Sequence, residues 1–204
     1  MVELIPSPDA VMQMLKRTGA FREGHFVYPN GKHSPHYFQM PLAFRYYDTA
    51  RVLAVALSRK FRLERDISSQ LPKIAIISPS SGGIPVAFGV REALSAEQIY
   101  WAERQPEGAM QFRQFMEVHH AEKIILVDDI LRNGRMLKEM VQLFKERGAT
   151  VLALGVVVYQ PNVDMADFGS LPIYSLARLN FTYYPDAASC ELCRKGLPVV
   201  TVSA

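Results

Sequence analysis

Cysteine is scarce in this chain: Cys190 and Cys193 are the two in 204 residues. That excludes a disulfide framework of the kind that holds small secreted domains together. A lone C-x-x-C suits a redox pair or half of a zinc site. A zinc held within one chain needs two more ligands, and no second cysteine pair exists to supply them. The plain reading is two reduced thiols in a short helix or turn. Long apolar runs are missing too: the longest candidate, Val151 to Tyr159, is too short to span a membrane and reads as a buried strand. Met1-Val2-Glu3-Leu4-Ile5-Pro6 lacks a basic start followed by an apolar run, so no signal peptide is expected and the setting is read as cytoplasmic. Charge of one sign is not in excess, with 23 basic against 20 acidic residues and a net +3. The basic residues are dispersed, so neither a nucleic acid nor a membrane is expected as partner, whereas a small anion in a local pocket is. There is no internal repeat, no G-x-G-x-x-G and no G-x-x-x-x-G-K-S/T, which sets aside the repeat, dinucleotide and P-loop readings.

What is present is a core. Hydrophobic residues make up 49% of a chain long enough for one substantial domain. Ser7-Pro8-Asp9 opens a helix from Ala10 to Arg17, with a capping hydroxyl and a proline in the first turn, and Gly19 ends it. Phe26 to Phe38, with Pro29-Asn30-Gly31 at its turn, reads as a hairpin or long loop. Asp48 to Phe61 is predicted helical, its apolar face carrying Val52, Val55, Ala56 and Phe61. Strands are expected at 73–78, 98–102, 123–127, 151–158 and 173–176, with helices at 84–94 and 135–147. The last helix turns Leu137, Met140, Val141 and Phe144 to one side and stops at Gly148. Continuous apolar strands alternating with helices mean an α/β fold: a parallel sheet covered on both faces, with ligands beyond the C-terminal strand ends.

Chemistry gathers at those ends. The strand at 123–127 runs into Asp128-Asp129, an adjacent pair of carboxylates that repel unless a cation or hydroxyls face them; a ribose diol or a magnesium ion would serve. Arg132-Asn133-Gly134-Arg135-Met136 then leads into a helix whose N-terminal N–H groups and dipole attract an anion. An ordinary strand–turn–helix, its acids paired with Arg132, is the alternative. The strand at 73–78 ends in Ser80-Ser81-Gly82-Gly83, either a second backbone cradle for phosphate or a tight turn. Trp101 to Arg113 is polar and contains glycine and proline; it reads as a solvated hairpin or as a lid carrying Arg104 and Arg113.

Taken in order, these segments resemble the type I phosphoribosyltransferases, most closely the bacterial short-loop orotate phosphoribosyltransferases. Gly24-His25-Phe26 through Gly31-Lys32-His33-Ser34-Pro35-His36-Tyr37-Phe38 looks like that family's N-terminal substrate segment. Ser80 to Pro85 sits where its pyrophosphate loop sits, and Glu103-Arg104 through Arg113 resembles its catalytic loop. Val127-Asp128-Asp129-Ile130-Leu131 matches its phosphoribosyl pyrophosphate signature, and Tyr184-Pro185 with Cys190 to Pro198 resembles a C-terminal stretch of the same group. The resemblance covers roughly residues 20 to 198. It implies a five-stranded core with a small hood, built from about 1–45 and part of 178–204, and a homodimer whose catalytic loop reaches the neighbour's site. It implies transfer of phosphoribose from phosphoribosyl pyrophosphate to orotate or another nitrogen base, with Mg2+. By this resemblance Asp128 and Asp129 hold the ribose and weakly the metal, Arg104 and Arg113 assist catalysis, and Ser81, Gly82, Gly83 and Arg132 to Met136 hold phosphates. Lys32, Tyr37, Phe38 and Arg132 meet the base.

The chain also departs from the pattern. The family's threonine-rich phosphate loop is replaced by Arg132, Asn133, Gly134, Arg135 and Met136. After the strand at 151–158, where orotate enzymes place Asp-Arg to meet the orotate carboxylate, this chain has Tyr159-Gln160; Pro29 occupies a turn usually small or basic. Two readings therefore stand side by side: an active transferase, and a non-catalytic relative that binds a phosphorylated ligand or a partner.

Overall fold

The computed structural model describes residues 4–106, 108–112, 122–162, 164–180 and 182–202. Its elements run α1 (Pro8–Arg17), β1 (Phe21–Val27), β2 (His33–Phe38), α2 (Pro41–Phe44), α3 (Tyr47–Leu63), α4 (Arg65–Ser68), β3 (Ala75–Pro79), α5 (Gly83–Leu94), β4 (Gln98–Arg104), β5 (Met110–Phe112), β6 (Lys123–Leu131), α6 (Arg135–Glu146), β7 (Thr150–Tyr159), β8 (Ile173–Arg178), α7 (Glu191–Arg194) and β9 (Val199–Thr201). The larger sheet has the order β5-β4-β3-β6-β7-β8 and is parallel except for β5, which returns antiparallel along β4. It has six strands where five are expected, because part of the 101–113 segment forms the β4–β5 hairpin. Among the described residues no helix is long and apolar enough to cross a membrane.

Strand alternation explains why the central strands are apolar throughout. Ile76, Ile125 and Val127 face a core shared with α1, α3 and α5, while Ile77, Ile124 and Leu126 face a second core closed by α6. In α6 the buried side chains are Leu137, Met140, Val141 and Phe144, the face read from spacing. In α3 the face differs from the expected one: Leu53, Ala54, Ala56, Leu57 and Phe61 are buried, and Val52 is exposed. Apolar residues run nearly round this helix, so spacing alone leaves the face open, and packing decides it. The Phe61 ring fills the space over Gly155, where a Cβ would stand 2.3 Å from Cζ. At α1 the Ser7 hydroxyl accepts the Ala10 N–H at 3.2 Å, and the helix starts at Pro8.

A second, three-stranded sheet has the order β2-β1-β9, with β1 and β2 antiparallel and β9 parallel to β1. The N-terminal hairpin is thus joined to the last described strand of the chain. Cys190 and Cys193 are not two thiols on their own, as their isolation in sequence suggests. The fold brings them against His25 of β1 and His33 of β2.

Candidate active site

Strand succession reverses between β3 and β6. From β3 the chain proceeds to β4 on one side; from β6 it proceeds to β7 and β8 on the other. Such a switch point leaves a crevice beyond the strand ends. Here β3 and β6 share a ladder only from Ala75–Ile124 to Ile77–Leu126. The sequence reading ended the second of these strands at Val127, but β6 continues alongside β7 as far as the Leu131–Tyr159 pair. The acid pair therefore lies within a strand whose other edge has been released. The opening is a cavity of about 280 Å3, lined by Pro79, Ser80 and Gly82 on one side and by Asp128 to Gly134, Met136 and Leu137 on the other.

The two carboxylates are held differently. Asp128 Oδ1 accepts the Asp129 N–H at 2.9 Å, and Asp129 Oδ1 accepts the Ile130 N–H at 2.6 Å. Asp128 keeps part of its surface on the cavity, yet burial, then the Asp129 charge, holds its carboxyl well above the ordinary range. Burial also raises Asp129, while the Ile130 amide, Asp128 and the Arg132 charge pull it partly back. A pair in this state accepts proton donors or a cation readily.

The loops around the pair approach closely because they lack side chains. A Cβ on Gly82 would stand 2.6 Å from Asp129 Oδ2, and one on Gly83 would stand 2.9 Å from Asp128 Oδ1. Gly134, the N-cap of α6, has φ +72°, and a Cβ there would meet the Phe168 ring at 2.8 Å. Asn133 Oδ1 accepts the Arg135 N–H at 3.2 Å. The first N–H groups of α6 have no intrahelical acceptor, so a polar helix end faces the cavity where Gly134, Met136 and Leu137 line it.

A second cavity, of about 330 Å3, adjoins the first. It is lined by Tyr28, Asn30 and Lys32 of the β1–β2 turn, by Arg132, Asn133 and Arg135, and by Asn162, Asp164 and Tyr183. Arg132 and Asn133 belong to both cavities. The Arg132 Nε is buried and has no hydrogen-bond acceptor among the described residues, an arrangement that an anionic ligand would satisfy. The Tyr28 phenol is pushed up to about 12, chiefly by burial, and remains a neutral O–H group at ordinary pH. Gln160, where the orotate family places its arginine, is buried at the end of β7 and donates from Nε2 to the Tyr183 hydroxyl at 3.0 Å.

The structure thus gathers Gly82, Asp128, Asp129, Arg132, Asn133, Gly134 and Met136 around the first cavity, and Lys32, Arg132 and Arg135 around the second. Ser80 lines the first cavity and Ser81 does not, although the two are joined by a cis peptide in the same loop. Of the residues expected to meet the base, Tyr37 lies beside Phe26 and Tyr28. Phe38 faces the core, paired with Phe21 in the β1–β2 register and packed on its ring at 4.8 Å. Neither lines a cavity described above. Arg104 is exposed, bonded to Glu139 at 2.9 Å and to the Gly108 carbonyl, and does not line its own chain's crevice. Arg113 lies outside the described residues. Sequence reasoning missed Tyr28, Asn162, Asp164 and Tyr183, which come from three separate loops and carry no shared motif.

No family model matches the chain. Curated relatives do. It is 31% identical to the orotate phosphoribosyltransferase of Thermotoga maritima over 188 residues, 92% of this chain and 94% of that one. It is 30% identical to the orotate phosphoribosyltransferase of Thermus thermophilus over 193 residues, 94% of this chain and 99% of that one.

The chain belongs to the orotate phosphoribosyltransferase family.

Among solved structures it is similar to the orotate phosphoribosyltransferase of Aeropyrum pernix, with a TM-score of 0.67 at 22% identity over 83% of this chain and 93% of that one. It is also similar to the adenine phosphoribosyltransferase of Leishmania tarentolae, with a TM-score of 0.61 at 14% identity over 83% and 87%. The architecture is the type I phosphoribosyltransferase fold. Kinship with orotate phosphoribosyltransferases over nearly the whole chain does not favour the non-catalytic reading that the altered phosphate loop raises.

Proposed function

We propose that this chain transfers phosphoribose from phosphoribosyl pyrophosphate to orotate and releases pyrophosphate. The observation that carries the reading is the acid pair in the β3–β6 crevice, facing glycines too close to bear side chains. In the reaction the bond from ribose carbon 1 to the pyrophosphate oxygen breaks, and its electron pair leaves with the pyrophosphate. A ring nitrogen of the base bonds to carbon 1 and gives up its proton. Positive charge develops on the ribose ring, and negative charge grows on the leaving group. Asp128 and Asp129 would accept the ribose hydroxyls and stabilise the cationic ring. The Ser81–Gly83 loop would take the pyrophosphate, and Arg132 to Met136 with the α6 N-terminus would take the 5′-phosphate, arginine charge replacing the missing hydroxyls.

Two adjacent carboxylates, both raised by burial and Asp128 further by the Asp129 charge, suit a divalent cation carried with the substrate, so Asp128 and Asp129 are where Mg2+ would be held. When bound, Mg2+ neutralises charge on the departing pyrophosphate. For the base, we assign the second cavity. Arg132, with its buried unsatisfied Nε, and Lys32 supply the charge that Gln160 does not, and they would meet the orotate carboxylate. The small sheet, with the β1–β2 turn over this cavity, serves as the hood. Arg104 and Arg113 would act on the neighbouring site of a homodimer, which agrees with the absence of Arg104 from the lining of its own chain's crevice.

The test is pyrophosphate release from phosphoribosyl pyrophosphate and Mg2+ with orotate, uracil, adenine or no base. Release with orotate alone is expected. Release with another base and none with orotate would move the substrate assignment, and no release with any base would overturn the transferase reading.

A further inference from the structure

We infer that His25, His33, Cys190 and Cys193 form a structural zinc site that clamps the C-terminal segment to the N-terminal hairpin. One ligand atom from each residue lies within 4.8 Å of the other three. Cys190 Sγ and Cys193 Sγ each stand 3.6 Å from His25 Nε2, and Cys193 Sγ stands 3.5 Å from His33 Nδ1. Zinc bonded tetrahedrally to thiolate sulfur and imidazole nitrogen sets an N···S edge of about 3.5–3.6 Å. The two ring nitrogens are 2.8 Å apart. Tetrahedral coordination wants about 3.3 Å between them, so metal entry spreads the rings by about half an ångström.

The metal-free arrangement is poorly balanced. His25 Nδ1 lies 3.0 Å from the Leu197 carbonyl and donates its proton there, which leaves Nε2 with a single lone pair. Three groups converge on that lone pair: His33 Nδ1 and both sulfurs. A cation at the centre of the four satisfies them together. The Leu197 contact also fixes the His25 tautomer and ring orientation, the usual supporting bond of a metal-bound imidazole. His25, His33 and Cys190 are buried, so this is not a loose surface grouping. Two sulfurs and two imidazoles as ligands select zinc over magnesium or calcium, and four protein ligands leave no open position for a substrate.

The consequence is mechanical. Cys190 caps the N-terminus of α7 and Cys193 lies within it; α7 leads to β9, and β9 pairs with β1 from His25–Val199 to Val27–Thr201. His33 follows Lys32 at the end of the β1–β2 turn that lines the second cavity. Metal binding would close a loop spanning most of the chain and fix the turn over that cavity. The site stands on its own geometry and does not depend on which base the enzyme accepts.

The untagged, reduced protein, purified without chelator, is expected to contain about one zinc per chain by atomic emission. Removing the metal should lower the melting temperature by several degrees, and Zn2+ should restore it. Cobalt added to the metal-free, reduced protein should give the intense visible bands of a tetrahedral site with thiolate charge transfer. The double variant Cys190→Ser with Cys193→Ser should lose that charge transfer. Should it fail to fold, His33→Cys keeps four ligands and is expected to intensify the charge-transfer band. Protein that carries no zinc as purified and gives no tetrahedral cobalt spectrum after reduction would overturn the site. So would a Cys190–Cys193 disulfide found by mass spectrometry in protein kept reduced throughout.

Discussion

The crevice and the histidine–cysteine cluster are both buried polar groups, but they are opposite in construction and in energetic sign. Most of the crevice comes from one unbroken stretch, Asp128 to Leu137, at a strand–helix junction. The cluster joins β1 and β2 to residues more than 150 positions away. The crevice carries two carboxylates whose ionisation burial opposes, a cost accepted because charge must be ready when the substrate arrives. The cluster contains groups that a single cation would satisfy, and its occupation stabilises the fold. Polar burial at a site of chemistry is a liability to the empty protein; polar burial at a clamp is a source of its order.

The largest expected effect breaks the comparison on the crevice side. Asp128→Asn with Asp129→Asn should reduce turnover by about a thousand-fold or more, because the developing ribose cation loses both stabilising charges. The same variant should melt higher than the parent at neutral pH, by about 2–4 °C for each 1 kcal/mol recovered. The sign follows from linkage. Carboxyls raised above their ordinary range bind protons in the folded chain where the unfolded chain has lost them, so stability falls as pH rises from that range through the folded-state values. The double variant should flatten this dependence in melts taken from acid to neutral pH. An unchanged rate would remove the acid pair from the site; an unchanged slope would remove the burial argument.

Much of the crevice was legible because its parts are contiguous. A buried strand, an acid pair, a glycine and an amphipathic helix follow one another within 123–146, and local rules place each. The α6 face came out residue for residue, whereas the α3 face did not, since Val52 to Leu57 is apolar throughout and the rotation is set by packing, with Ala54 against Gly89 and Phe61 over Gly155. The second cavity was legible in part, through Lys32, Arg132 and Arg135, and the cluster was not legible. Tyr28, Asn162 and Tyr183 meet through tertiary closure, and Cys190 and Cys193 lacked partners until β9 paired with β1. Histidines within a hairpin eight positions apart carry no metal-site spacing that a reader would join to a distant C-x-x-C.

Smaller effects sharpen the crevice itself. Gly82→Ala places a Cβ against Asp129 Oδ2 and should cost about 1–3 kcal/mol of strain at that contact. Because the strain is greatest when the loop lies on the acids, it should appear as a rise of about tenfold or more in KM for phosphoribosyl pyrophosphate. A KM unchanged from the parent would mean that the 79–83 loop stands off the carboxylates in solution. Arg132→Met keeps the bulk of the side chain and removes its charge, and a lost hydrogen bond to a charged group is worth about 1.5–3 kcal/mol. Orotate should therefore bind about 10–100-fold more weakly in isothermal titration, with uracil little affected. Equal losses for both bases would place Arg132 on the phosphate alone.

The smallest expected effect concerns Glu139, the partner of Arg104 on α6. Both side chains are more than a third exposed, at 41% and 45%, so the pair resembles others at the surface that contribute well under about 1 kcal/mol. If Arg104 leaves this contact to serve a neighbouring site, the ion pair holds it in a resting position, and Glu139→Gln frees it without removing it. The melting temperature should then stay within about 2 °C of the parent, and turnover should hold or rise slightly. A fall in turnover with unchanged stability would show instead that Glu139 positions Arg104 for catalysis. The mixed-dimer measurement separates the two. In dimers of one Arg104→Ala chain and one Asp128→Asn chain, two defects that fall in the same site leave the other site intact, and defects that fall in different sites leave neither intact. With Arg104 supplied in trans, both mutations meet in one site and the other is intact, so about half the parent activity should return, whereas action in cis leaves neither site intact.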